Sequence, residues 1–186
     1  MMFCADCGLE GQVGQDGWLC ECGGLWSMAL ARVDPYRVEG RLPGLWRYAH
    51  ALPVACRPEL SLGEGLTPMV SMLFQGREVL VKQEQLFPTG SYKDRGAAVM
   101  MAHAAGLGVT EVVEDSSGNA GCAVAAYSAR AGIKARIFVP ADTSPAKLEQ
   151  IRSYGAELEL VPGSRENTAQ ACMEAAKGGF YASHVY

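Results

Sequence analysis

The sequence carries little charge, and the balance is slightly acidic. Only 19% of its 186 residues are Asp, Glu, Lys or Arg, and the formal net charge at pH 7 is −4. A protein that grips a phosphate backbone needs a basic stripe, so nucleic acid is not an expected partner. Long apolar runs are lacking too. No segment approaches the roughly 18 consecutive apolar residues a membrane span requires, and the opening MMFCADCG has neither the basic nor the apolar region of a secretory signal. These absences point away from the membrane and toward the cytoplasm. The seven cysteines are odd in number, and Cys56, Cys122 and Cys172 stand alone in apolar or small-residue surroundings. That distribution argues against a disulfide framework and suits a reducing compartment, with these three expected to be free buried thiols. Internal repeats and low-complexity tracts are absent as well.

What is present is a 49% hydrophobic chain, long enough to bury a substantial core. Residues 1–30 are rich in Gly and Cys and read as a separate cysteine-rich knuckle. Residues 31–77 read as a connecting segment, Pro-rich in its middle, with a short helix expected at 45–51 and SLGEGLTP at its end. From residue 78 the pattern becomes regular. Strands are expected at 78–84, 111–116, 135–140, 156–161 and 180–183, and helices at 92–106, 119–132, 144–154 and 164–178. Strands of this length, each followed by a helix, predict βαβ units and an α/β fold, a parallel sheet flanked by helices. Ser91 with Asp94 matches a capping box, Pro145 stands at a first helical position, and Ser164 opens the last helix. Gly106, Gly132, Gly155 and the pair Gly178-Gly179 fall where helices should stop.

The stretch PTGSYKDRGA, residues 88–97, places Lys93 in the first turn of a helix. Unpaired backbone N–H groups and the helix dipole make the potential there positive, which disfavours an ammonium and preserves the neutral amine that Schiff-base chemistry uses. A solvated lysine on a surface helix is the plain alternative, although helix starts ordinarily take acids. The neighbours Asp94 and Arg95 are expected to pair with each other and fix the helix start. A second stretch, EDSSGNAG at 114–121, ends one expected strand and opens the next helix. Small hydroxyl residues, a glycine and an asparagine at such a turn form a cradle of N–H groups for an anion. A capped turn that binds nothing is the alternative.

Together, SYKDRGA and SSGNAG resemble the motifs of the fold-type II pyridoxal-phosphate enzymes, whose architecture is that of the tryptophan synthase beta chain. SLGEGLTPM (61–69) is a third match, a strand and turn ahead of the lysine. CADCG, CECGGLW and LPGLWRYAHALPV resemble the N-terminal portion of one group of threonine synthases, so the likeness covers nearly the whole chain. The resemblance implies that Lys93 carries pyridoxal phosphate and then moves protons on the substrate carbons. It implies that Asn119 hydrogen-bonds the cofactor's ring oxygen, and that Ser116, Ser117, Gly118 and Ala120 bind the substrate carboxylate. The family's loop more often reads Ser-Thr-Gly-Asn, followed by Thr or Ala. Ser117 keeps the hydroxyl, whereas Ala120 lacks the one some relatives present there.

The implied reaction is that of a carbon–oxygen lyase acting on a phosphate ester, turning O-phosphohomoserine and water into threonine and phosphate, with the cofactor as electron sink. A threonine or serine dehydratase is the alternative within the same chemistry, and a non-catalytic interaction fragment is the alternative outside it. A small-molecule amino acid is the expected partner, and a homodimer is a possible assembly. Cys4, Cys7, Cys20 and Cys22 offer four thiolates from two tight turns, a set suited to structural Zn²⁺, although one residue separates the second pair where two is usual. The alternative is a metal-free knuckle packed through Trp18, Leu19, Leu25 and Trp26. A glycine-rich loop for the cofactor phosphate, and a Ser or Thr for its ring nitrogen, are not evident in the sequence. The 186 residues are therefore expected to be an incomplete part of a longer enzyme, binding the cofactor weakly and catalysing nothing by themselves.

Overall fold

In the computed structural model the described residues are 2–11, 19–28, 31–177 and 179–183. Trp18 and Gly178, named above, lie outside them. The N-terminal ribbon is a three-stranded antiparallel sheet of β1 (Met2–Cys4), β2 (Glu10–Gly11) and β3 (Trp26–Met28), in the order β2-β1-β3. Residues 31–68 follow as turns and short 3-10 segments, the longest at Gly44–Ala51 where a short helix was expected. This segment does more than connect. Its Trp46 is fully buried in the main core, beneath helices of the domain that follows.

Next come β4 (Met69–Phe74) and β5 (Arg77–Lys82), paired antiparallel from Met69 with Lys82 to Phe74 with Arg77. The expected strand at 78–84 therefore forms, but in a two-stranded hairpin and not in the parallel sheet. Its partner β4 gave no sequence signal because all six of its residues are exposed, so no half-buried alternation marks them. Gln75 and Gly76, both at positive φ, make the two-residue turn whose backbone twist matches that of a hairpin.

The main body alternates strand and helix: α1 (Lys93–Gly106), β6 (Glu111–Glu114), α2 (Asn119–Ala131), β7 (Lys134–Pro140), α3 (Pro145–Ser153), β8 (Glu157–Val161), α4 (Arg165–Ala175) and β9 (Phe180–Tyr181). The four strands are all parallel, in the order β8-β7-β6-β9. Both faces are covered, so adjacent residues of one strand serve different cores. Val112 packs with Ile137 and Val139 beneath α1 and α2, whereas Val113 packs with Phe138 against Cys172 of α4 and Ala176 at its end. Helix α2 is buried from Ala120 to Ser128. Its run of alanines explains how: small side chains let α1 and the sheet approach from two sides, as for any helix apolar all round.

Several helix boundaries match their expected signals: Pro145 is the first residue of α3, and Gly155 follows its end at φ 83°. Ser164 and Asn167 form a reciprocal capping box on α4, and Gly132 closes α2 in the left-handed conformation at φ 68°. At α1 the expected capping box is absent. The helix starts at Lys93, and the Ser91 hydroxyl accepts the Lys93 N–H at 3.3 Å. Asp94 turns the other way, taking the Thr89 N–H at 2.9 Å and the Thr89 hydroxyl. Gly106 is still helical, and the left-handed residue after α1 is Gly108. Of the three solitary cysteines, Cys122 and Cys172 are buried free thiols and Cys56 is exposed, because residues 55–57 lie outside the helix-packed layers.

Candidate functional site

The strand order decides where a ligand can enter. From β6 the chain winds outward through β7 to β8, then crosses back to place β9 on the other side of β6. At such a reversal the two connections leave in opposite directions, and a crevice opens beyond the carboxyl ends of the strands. The turn after β6 is Asp115–Gly118, and the residues after β9 are Ala182 and Ser183.

Lys93 stands at this crevice. A cavity of about 340 Å³ is lined by Lys93, Tyr92 and Gly96 of the α1 start, Ala120 and Ala123 of α2, and Ser183 beyond β9. That volume lies in the range of roughly 300–1,000 Å³ typical of small-molecule sites. The Lys93 Nζ lies 5.2 Å from the centre of the Tyr92 ring, so the aromatic face steers the amine. A larger, apolar groove of about 740 Å³ lies behind the same helix, between Met28, Leu45, Leu52, Val99 and His103. It shares Arg95, Gly96 and Met100 with the smaller cavity but not Lys93, so the smaller one carries the chemistry.

The lysine is held from behind by a fixed turn. Phe87 to Ser91 closes through the Gly90 N–H to the Phe87 carbonyl at 2.8 Å, with Gly90 at φ 85°, and Gln150 of α3 donates to the Thr89 carbonyl at 3.0 Å. Asp94, fully buried, anchors Thr89 from the helix side, and burial pushes its carboxyl above the ordinary range. The expected Asp94–Arg95 pair does not form. Arg95 instead gives Nε and Nη2 to Glu84 at 3.2 and 3.0 Å, because α1 turns consecutive side chains about 100° apart and Asp94 faces inward. The Thr67 hydroxyl donates to the same carboxylate at 2.6 Å, and the Arg95 hydrogen bonds hold Glu84 below its ordinary value of 4.5.

The second stretch builds the facing wall. Ser116 and Ser117 are half-buried, Gly118 and Asn119 are exposed, and Ala120 turns into the cavity. The Ser116 hydroxyl accepts the Gly118 N–H at 3.2 Å, which leaves the first N–H groups of the 13-residue α2 at the turn. Gly121 is obligatory here. A Cβ on it would stand 1.9 Å from the Ser116 carbonyl oxygen, so only glycine lets the helix start so close to the strand end. Lys93 and Ala120 thus share one cavity, while Ser116, Ser117, Gly118 and Asn119 form the turn immediately before it.

Sequence reasoning missed three supports. Buried Asp115 accepts the Tyr181 hydroxyl at 3.0 Å and an Arg165 guanidinium at 2.6 Å, tying the Ser-Ser-Gly turn to β9 and α4. Ser183 lines the lysine cavity from the end of β9. Buried Glu64, in the Gly-Glu-Gly turn, takes hydrogen bonds from the Ser61 hydroxyl, the Leu62 N–H and the Tyr127 hydroxyl of α2, the last at 2.8 Å. Two glycines pack here by close approach: a Cβ on Gly44 would meet the Glu64 carbonyl oxygen at 2.0 Å, and one on Gly65 would meet the Leu45 nitrogen at 2.9 Å. Residues 61–68 are accordingly a turn leading into β4, with Gly63, Gly65 and Leu66 at positive φ, and contain no strand. The one sequence signal for Glu64 was an acid set between two glycines.

In the ribbon, Cys4 and Cys20 are buried and Cys7 and Cys22 exposed, with all four sulfurs within 4.8 Å of one another. A hydrogen bond from the Cys7 backbone lowers the Cys4 thiol to about 7.

Residues 60–186 match the model of one protein family, described as pyridoxal-phosphate dependent enzyme. The chain belongs to this family. Over 94% of its length it is 35% identical to a threonine synthase of Methanocaldococcus jannaschii, and over 87% it is 31% identical to one of Methanosarcina acetivorans. It spans 46% and 42% of those relatives, less than half of each. Among solved structures, an O-ureido-L-serine synthase superposes on 62% of the chain and 40% of its own, at a TM-score of 0.58 and 31% identity. These relatives agree with the parallel sheet and its flanking helices. Among the described residues no helix is long and apolar enough to cross a membrane.

Proposed function

We propose that the protein is a pyridoxal-phosphate-dependent lyase of the threonine synthase type, acting on O-phosphohomoserine. The observation that carries the reading is Lys93, at the start of α1, opening into the crevice beyond the sheet's reversal point, with the α2 N-terminus as the facing wall. Cavity size, the amine at its wall and the apolar floor of Ala120, Ala123, Val124 and Ala182 suit the flat ring of the cofactor. When bound, the cofactor withdraws electrons from the substrate carbons.

The chain's own residues divide the remaining work. Lys93 would hold the cofactor, and its amine would take and return protons at the substrate carbons. The turn Ser116, Ser117, Gly118 and Ala120 receives the substrate carboxylate through N–H groups and hydroxyls at the positive end of α2. Asn119, the first residue of α2, would hold the cofactor ring by a hydrogen bond. The buried anchors Asp94 and Asp115 fix the two walls, so that amine and carboxylate site stay in register. In the overall reaction the bond from the γ-carbon to the phosphate oxygen breaks, water supplies the hydroxyl at the β-carbon, and threonine and phosphate are released. The reading places the enzyme in the cytoplasm, with a small amino-acid ester as its partner.

Product analysis on the full gene product tests the assignment. Phosphate and threonine formed in equal amounts from O-phosphohomoserine, and lost in Lys93→Ala, are expected. Ammonia and 2-oxobutanoate from threonine, with no phosphate released from the ester, would make the protein a dehydratase.

A further inference from the structure

Beyond the lysine cavity, four cysteine side chains among the described residues gather at the tip of the ribbon. Two cysteines leave β1 on one turn, and two enter on the turn before β3. Each turn is closed the same way. The Gly8 N–H donates to the Cys4 carbonyl at 3.0 Å and the Gly23 N–H to the Cys20 carbonyl at 2.8 Å, with both glycines left-handed at φ 74° and 85°. The left-handed residue swings each turn back on itself and brings its second sulfur beside the first. The shorter Cys20–Cys22 spacing is accommodated because the Cys20 N–H also reaches the Gly24 carbonyl at 2.9 Å.

The sulfur positions are specific. Cys4 and Cys22 lie 3.5 Å apart and Cys7 and Cys20 lie 3.7 Å apart. Four sulfurs each about 2.3 Å from one tetrahedral ion stand about 3.8 Å from one another, so the observed gathering needs only small adjustments to hold an ion. Gly24 fits closely against the cluster: a Cβ on it would stand 2.7 Å from the Cys4 sulfur and 2.6 Å from an Asp6 carboxylate oxygen. The ribbon also has a reason to need a metal. Its strands are three, two and three residues long, and of its described residues only Met2, Cys4 and Cys20 are buried apolar groups, too few to stabilise such a sheet.

We infer that Cys4, Cys7, Cys20 and Cys22 bind one Zn²⁺ as a closed, structural tetrathiolate centre. Four soft protein ligands select zinc over harder cations and leave no coordination position for substrate or water. The ion therefore acts by folding the ribbon, and through Met28, a wall residue of the apolar groove, the ribbon's fold reaches the helix that carries Lys93. Binding displaces the thiol protons to solvent.

Metal analysis of protein purified without chelator, followed by cobalt substitution, tests this. About one zinc per chain is expected, and Co²⁺ in its place should give the thiolate charge-transfer band and visible absorption of a tetrahedral sulfur site. Replacing Cys7 and Cys22 by Ser should weaken zinc binding by more than the about 10–100-fold that follows loss of an outer-shell partner, while Cys56→Ser should leave stoichiometry unchanged. The cobalt spectrum is read on the unaltered protein, so it stands even if the double variant fails to fold. Zinc well below one per chain after reconstitution under reducing conditions, or a weak octahedral cobalt spectrum, would overturn the inference.

Discussion

Buried Glu64 shows how one side chain joins distant parts of the sequence. Its carboxylate lies 63 residues from the Tyr127 hydroxyl that donates to it, and together they clamp the Gly-Glu-Gly turn onto α2. Burial raises the Tyr127 hydroxyl above its ordinary range, so the tyrosine stays a donor. We expect Tyr127→Phe to cost about 1.5–3 kcal/mol, the worth of a hydrogen bond to a charged acceptor, read as a lower urea midpoint with an unchanged slope; a loss within error would show that the clamp contributes nothing. Glu84 gives a pH prediction. Arg95 lowers its folded-state value below 4.5, so its contribution is fully present above that pH and is lost as pH falls through the lowered value. Glu84→Gln should therefore narrow its stability gap to the unaltered protein as pH drops from 6 toward 3, and a gap that widened would refute the pairing. Neither contact was legible in sequence, because partner choice depends on which face of α1 or α2 meets the turn, and local patterns do not carry that.

At the scale of elements, the strands and helices from residue 93 to 175 were legible to within a few residues. Helix stops, Pro145 and the Ser164 box are local signals, and buried parallel strands read as short Val- and Ile-rich runs. The β4–β5 hairpin was misassigned because an exposed strand has no buried face to pattern it. The start of α1 was misread for a different reason: Asp94 matched a capping box in spacing, but the tight Pro-Thr-Gly-Ser turn brought Thr89 nearer than Ser91. The start of α2 is the most constrained local geometry of the site. Adding one methyl group at Gly121 should drive the helix off the Ser116 carbonyl, costing about 1–3 kcal/mol as overpacking does and weakening cofactor binding with it. A Gly121→Ala protein with the stability and cofactor affinity of the parent would contradict the geometry.

For the molecule as a whole, the sheet order decides function more than any single motif. Because β9 returns beside β6, the lysine helix, the start of α2 at Ala120 and Ala123, and Ser183 converge on one crevice, although 90 residues of sequence separate Lys93 from Ser183. The motifs could be matched to a family without that order, but which residues beyond them reach the cavity could not be read, since Ser183 becomes a wall residue only through strand pairing. The central claim is that Lys93 is the cofactor's attachment point. Borohydride reduction of the protein with saturating pyridoxal phosphate, followed by peptide mass mapping, tests it directly. The account predicts a pyridoxyl adduct concentrated on Lys93 and absent from Lys93→Ala; an adduct on Lys82, Lys134, Lys147 or Lys177 with Lys93 unmodified would contradict it.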